Sequence, residues 1–156
     1  MFQAMGWVVV RVSRDAYIGA RNDQLDYIDD DLDAQDSKLW ARLLAWLEDN
    51  SDAGLLRWQF VEHLNNAQGV LQIFASRNHR ASSIWPLMDW IAENGTGSYG
   101  LIYVWDDEDN GYGREVRTVD HSNEFRVWRI LNGKVEEFAD PFLSPIVPVI
   151  NPTFFA

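Results

Sequence analysis

The chain contains no cysteine, which excludes disulfide staples, thiolate metal sites and cysteine nucleophiles together. It is short of basic residues as well: 13 Lys and Arg stand against 24 Asp and Glu, a net charge of −11. A surface of that sign repels phosphate, so nucleic-acid binding is excluded as the main activity. Nowhere do ~18 apolar residues run together, so no transmembrane helix and no membrane partner are expected. The apolar run at the amino terminus is followed, not preceded, by Arg11. That order argues for a first strand rather than a signal peptide. The chain therefore reads as soluble and cytoplasmic.

Histidine is scarce too, with 3 in the chain, and His63, His79 and His121 form no HExxH pair. No GxSxG elbow occurs, and Gly95-Thr96-Gly97 and Gly111-Tyr112-Gly113 lack the Lys-Ser/Thr of a phosphate loop. Catalytic residues, a resident metal and a cofactor are accordingly not expected. What the chain has in quantity is aromatic and acidic side chains. Of its 156 residues 47% are hydrophobic and 13% aromatic, including 8 Trp. A chain of this size buries roughly 70% of its unfolded surface, enough for a core without staples. With no repeat and no linker, residues 1–156 are expected to form a single domain.

The patterning predicts the elements. Gly6–Val12 is β-branched and reads as a strand buried on much of both faces. Between Asp15 and Asp36 eight Asp face only Arg21. Asp disfavours helix interiors, so this stretch reads as a long acidic loop with one helical turn at most. Asp36 or Ser37 then caps a helix over Lys38–Asn50, with Leu39, Leu43 and Leu47 at helical spacing. The runs 56–64 and 70–77 alternate and flank turn residues, so they read as a hairpin. Ser82 or Ser83 opens a second helix with Ile84, Leu87, Met88 and Ile91 on one stripe, stopped at Asn94-Gly95. A strand over 99–105 follows, then weak pairing over Val116–Val119. The strands 125–131 and 134–138 flank Asn132-Gly133, a strong hairpin signal.

The expected class is α+β. It has a mainly antiparallel sheet in the order β-α-β-β-α-β plus a carboxy-terminal hairpin, with two helices on one face, as in a ferredoxin-like arrangement. The tail, with Pro141, Pro145, Pro148 and Pro152, cannot continue a ladder and is expected to pack as an extended segment.

Two acidic clusters are candidate sites: Asp29, Asp30, Asp31 and Asp33, and Asp106, Asp107, Glu108 and Asp109. The second aligns in part with a calcium loop. The twelfth position, however, is Arg117 instead of a bidentate Glu, and a strand precedes it instead of a helix. Three readings stay open for such carboxylates: a solvated face, a hard-cation site completed by water, or a surface that meets a basic partner. Trp40, Trp58, Trp85 and Trp105 fit core or helix–sheet contacts. Trp46 and Trp90 lie beside the apolar stripes and are added as partner-binding candidates.

A more specific signal lies in the carboxy-terminal half. Gly100–Asp109 (GLIYVWDDED), Asn123–Trp128 (NEFRVW) and Asp140–Pro145 (DPFLSP) with Pro148, together with Gly6-Trp7, resemble the immunity protein 7 family. The resemblance covers nearly the whole chain except the 23–36 stretch. It implies a role in bacterial polymorphic toxin systems: binding a cognate toxin domain, without catalysis, and so protecting the producing cell. If that toxin is a nuclease with a basic groove, both acidic clusters become candidate plugs. The rival readings are a hydrolase using a metal or an acidic pair, and a general acidic adaptor.

Overall fold

A computed structural model describes residues 1–13, 30–51, 54–64, 68–109 and 119–144. Among them the elements are β1 (Phe2–Val10), α1 (Asp30–Asn50), β2 (Arg57–Leu64), β3 (Gln68–Arg77), α2 (Ile84–Asn94), β4 (Tyr99–Asp106), β5 (Arg126–Leu131) and β6 (Lys134–Ala139). The six strands form one antiparallel sheet in the order β2-β3-β1-β4-β5-β6. The expected order β-α-β-β-α-β with an added hairpin is what the chain adopts. The first four strands make the split-βαβ pattern and β5–β6 extend it beyond β4.

Both helices lie on one face of this sheet. α1 contributes Leu39, Trp40, Leu43 and Leu47, and α2 contributes Ile84, Leu87, Met88 and Ile91, all in one core with Phe2, Ala4, Val8, Leu71, Ile73 and Ile102. Trp40 is fully buried, and its indole N–H donates to the Val10 carbonyl at 2.9 Å. It packs so closely on Gly69 that a Cβ there would sit 2.5 Å from the indole ring. At the far end of the sheet Asn132 and Gly133 take the left-handed φ values (54° and 69°) of a type I′ hairpin turn, pairing Leu131 with Lys134 as the Asn-Gly signal predicts.

The start of α1 corrects the sequence expectation. The helix begins at Asp30 and not at Lys38, so the acidic stretch supplies its first turns. Acidic residues in a first turn meet the positive end of the helix dipole, which offsets their poor interior propensity. Asp36, expected as a cap, lies inside the helix, fully buried, and accepts the Val12 N–H at 2.8 Å. α1 is thereby tied to the chain that leaves β1. Of the turn expected over 65–69, Gln68 and Gly69 belong to β3, and the rest lies outside the described residues, as do the acidic stretch over 15–29, the Val116–Val119 pairing up to Thr118 and the tail from Pro145 onward.

β1 is also buried less completely than its β-branched sequence predicts. Phe2, Ala4 and Val8 face the helices, while Met5 and Trp7 point away and are 41% and 43% exposed.

Candidate partner-binding surface

The loop after β4 is built around one carboxylate. Asp106 is buried and pairs with the Arg80 guanidinium, which comes from the segment before α2. Its other oxygen accepts the Glu108 N–H at 3.1 Å, and Arg80 Nη2 donates to the Glu108 carbonyl at 3.2 Å. Asp109 is buried as well. The acidic run, for which a solvated face, a cation site and a basic-partner surface were open readings, is therefore divided. Asp106 holds the turn, and the buried Asp109 closes it through its N–H, which donates to the Asp106 carbonyl at 3.0 Å, while Asp107 and Glu108 stand in solvent. Asp107 pairs with the amino-terminal ammonium, and its N–H donates to the Met1 carbonyl at 3.1 Å.

The other candidates lie elsewhere. Asp33 closes the first turn of α1, with its carboxylate 3.8 Å from His63 of β2. Asp30 and Asp31 are placed by backbone alone at the start of the same helix, and Asp29 is outside the described residues. Trp46 and Trp90 meet one another across α1 and α2, with ring centroids 6.5 Å apart. The Arg42 guanidinium lies 5.6 Å from the Trp90 ring. Both rings pack against the core from the helix layer, on the opposite side of the sheet from Met5 and Trp7. The structure thus does not gather the two acidic clusters and the two tryptophans into one site.

It gathers something else. Side chains alternate across a strand, so the residues skipped by the core form the second face of the sheet. That open face carries Phe74 on β3, Met5 and Trp7 on β1, and Leu101, Tyr103 and Trp105 on β4, aligned by the pairs Met5↔Phe74, Met5↔Tyr103 and Trp7↔Leu101. A shallow groove runs between Met5, Trp7, Phe74, Leu101 and Tyr103. Phe74 is 51% exposed, and Trp7 is held edge-on by Tyr99, with centroids 6.1 Å apart. Trp105 was expected in a core or helix contact. It lies on this open face instead, because it is out of phase with Val104 and Ile102, which the helices cover.

One end of the open face is closed by the segment before β5. The Trp105 indole N–H donates to the Ser122 carbonyl at 2.7 Å, and Phe125 packs near Tyr103 and Trp105, with centroids 6.5 and 6.4 Å away. The same segment brings Asp120 and Glu124 to the margin. Hydrogen bonds from Ser122, side chain first and backbone second, hold the Asp120 carboxyl below its ordinary value. Glu124 lies 2.9 Å from His121 Nδ1 and 3.5 Å from Arg126. The Asp140 carboxylate accepts the Phe142 and Leu143 N–H groups at 3.1 and 2.5 Å. Ser144 Oγ accepts the Phe125 N–H at 2.9 Å, which anchors this turn beside the same margin.

A family model described as Immunity protein 7 matches residues 1–152. The chain belongs to the immunity protein 7 family. It is therefore an immunity protein of a toxin system. No curated protein and no solved structure matches it. The motifs that carry the family resemblance converge in space: GLIYVWDDED is β4 with its loop, NEFRVW opens β5, and the DPFLS turn is tied to Phe125. Among the described residues no helix is long and apolar enough to cross a membrane. No group of three or more His, Asp and Glu among them is arranged to hold a metal ion.

Proposed function

We propose that this immunity protein acts in the cytoplasm by binding the toxin domain encoded beside it and covering that domain's active site or substrate groove, with no catalysis of its own. One observation supports this reading over a merely soluble acidic surface. The carboxylates of Asp107 and Glu108 are presented on a turn that Arg80 and Asp106 hold in place. Exposed carboxylates on a held turn cost a partner little ordering on binding, and Glu108, beside an Asp107 shared with the amino-terminal ammonium, steers a cationic partner toward the turn. Asp29, Asp30, Asp31 and Asp33 are secondary contact candidates, as are Trp46 and Trp90 in the helix layer. A nuclease, whose groove is basic, is the toxin class that this charge suits best.

The test is co-expression with the toxic carboxy-terminal domain of the adjacent gene, then co-purification. Restored growth together with a stoichiometric complex is expected. A folded protein that neither protects nor binds overturns the reading. The association rate is expected to fall steeply with salt, and a salt-insensitive rate would remove the steering role. Charge reversal belongs at Asp107 and Glu108, because reversing Asp106 would break the turn itself.

A further inference from the structure

The geometry points to the open face of the sheet, centred on Trp7 and Phe74, as the docking surface for the toxin domain. Its occupant is a toxin face that is apolar at its centre and cationic along one edge. This inference rests on the neutralisation reading above and adds where and how the contact is made.

Three features of the molecule carry it. The first is the position of the apolar surface. Met5, Trp7 and Phe74 are large hydrophobic side chains left roughly half exposed. They lie together on β1 and β3, next to Leu101 and Tyr103. Scattered exposed apolar residues are ordinary on a soluble surface, but a contiguous aromatic face on rigid strands is a mark of interfaces. The second is pre-organisation. These side chains stand on the three central strands β3, β1 and β4, and Trp7 is braced by Tyr99. Large aromatics held this way lose little freedom when a partner covers them, and such residues carry most of the affinity of an interface.

The third is charge. Trp105 and Phe125 lead from the aromatic centre to a margin where Asp107, Glu108 and Asp120 are exposed and Glu124, paired with His121 and Arg126, is partly so. An apolar centre with an acidic edge is complementary to a partner with an apolar centre and a basic edge. It is poorly suited to a second copy of this chain. Two copies facing each other would each bring a charge of −11, which opposes their approach.

The two parts of the surface have separable kinetic signatures. Loss of a buried aromatic anchor acts on dissociation, whereas loss of a marginal charge acts on association. Purified full-length protein and its toxin domain are compared by surface binding kinetics. Trp7→Ala and Phe74→Ala are each expected to weaken the Kd by about tenfold or more through a faster off-rate, and the double variant by about a hundredfold. Asp107→Lys with Glu108→Lys is expected to slow association by about tenfold at low salt and to leave the off-rate nearly unchanged. Glu93→Gln on the exposed side of α2 should alter neither. Hydroxyl-radical footprinting of the wild-type complex gives an answer that does not depend on any variant folding: oxidation of Met5 and Trp7 should drop at least about fivefold on binding, the mark of side chains moved from solvent to a buried interface core.

Wild-type protein that protects and binds, while the Trp7 and Phe74 variants keep full affinity and Met5 stays open to oxidation, would overturn this inference and leave the neutralisation reading standing. Free protein that sediments as a dimer dispersed by Trp7→Ala, with toxin affinity retained, would assign the face to a second copy and overturn it as well. Wild-type protein that neither protects nor binds would fail the neutralisation reading, and this inference with it.

Discussion

The two faces of the sheet carry much the same kind of side chain and have opposite fates. On β1 and β3 the helix-side residues Phe2, Ala4, Val8, Leu71 and Ala75 are buried, whereas Met5, Trp7 and Phe74, one step out of phase, stand roughly half in water. The difference does not lie in hydrophobicity, since Trp and Phe are as apolar as what the helices cover. It lies in supply. Each helix offers one apolar stripe, α1 and α2 both pack on the same side, and the described part of the chain offers the other side only the segment that seals the Trp105 end. Among the described residues, one face of this sheet is committed to the core and the other keeps large apolar side chains at the surface.

That contrast can be broken or sharpened experimentally. The largest effect should come from the covered face. Trp40→Ala removes a fully buried indole together with its hydrogen bond to Val10, and should cost about 3–5 kcal/mol in denaturant unfolding. Next is the turn that carries the exposed carboxylates. Arg80→Ala strands the Asp106 carboxylate, whose side chain is 8% exposed while that of Arg80 is 17% exposed. A loss of about 2–3 kcal/mol is expected, somewhat below that for a fully desolvated pair, and it should be accompanied by weaker toxin binding if the turn is a contact. Asp36→Ala leaves the Val12 N–H without its carboxylate partner and should cost about 1–2 kcal/mol by the same assay.

Smaller still should be the stability effect on the open face. Phe74→Ala and Trp7→Ala are expected to cost less than about 1 kcal/mol, although they weaken binding. If Phe74→Ala destabilised the fold as much as Trp40→Ala, the two faces would not differ as described. The smallest change concerns the acidic margin. Asp120 is held below its ordinary pKa chiefly by the Ser122 side chain, so its charge is present above the unfolded-state value and is lost only as pH falls through the lower folded value. Ser122→Ala should raise that carboxyl part of the way back toward normal, since the backbone hydrogen bond at 2.9 Å persists. Side-chain NMR titration of both proteins checks it.

Several of these features are legible in the residue string, and for local reasons. The 3.6-residue stripe Ile84, Leu87, Met88 and Ile91 marks α2, the Asn132-Gly133 pair marks the β5–β6 turn, and alternation in β2 and β3 marks their shared core side. The start of α1 is not legible this way, because Asp is read as a helix breaker until its place in a first turn is known. Trp7 and Trp105 escape for a different reason. Alternation places them on a face but does not say which face the helices will cover. Asp106 and Asp107 are adjacent and chemically identical, yet one is buried against Arg80 and the other exposed.

By itself the sequence determined the class of this protein: periodicity and turn chemistry specify two helices and an antiparallel sheet, composition sets a net charge of −11, and short motifs mark its family. Only the tertiary structure decided which apolar side chains are core and which are surface, and which carboxylates hold a turn and which face solvent. Those choices depend on what packs against a strand from a distant part of the chain, such as Arg80 reaching Asp106 or α1 covering Gly69. No local pattern encodes a neighbour that far away.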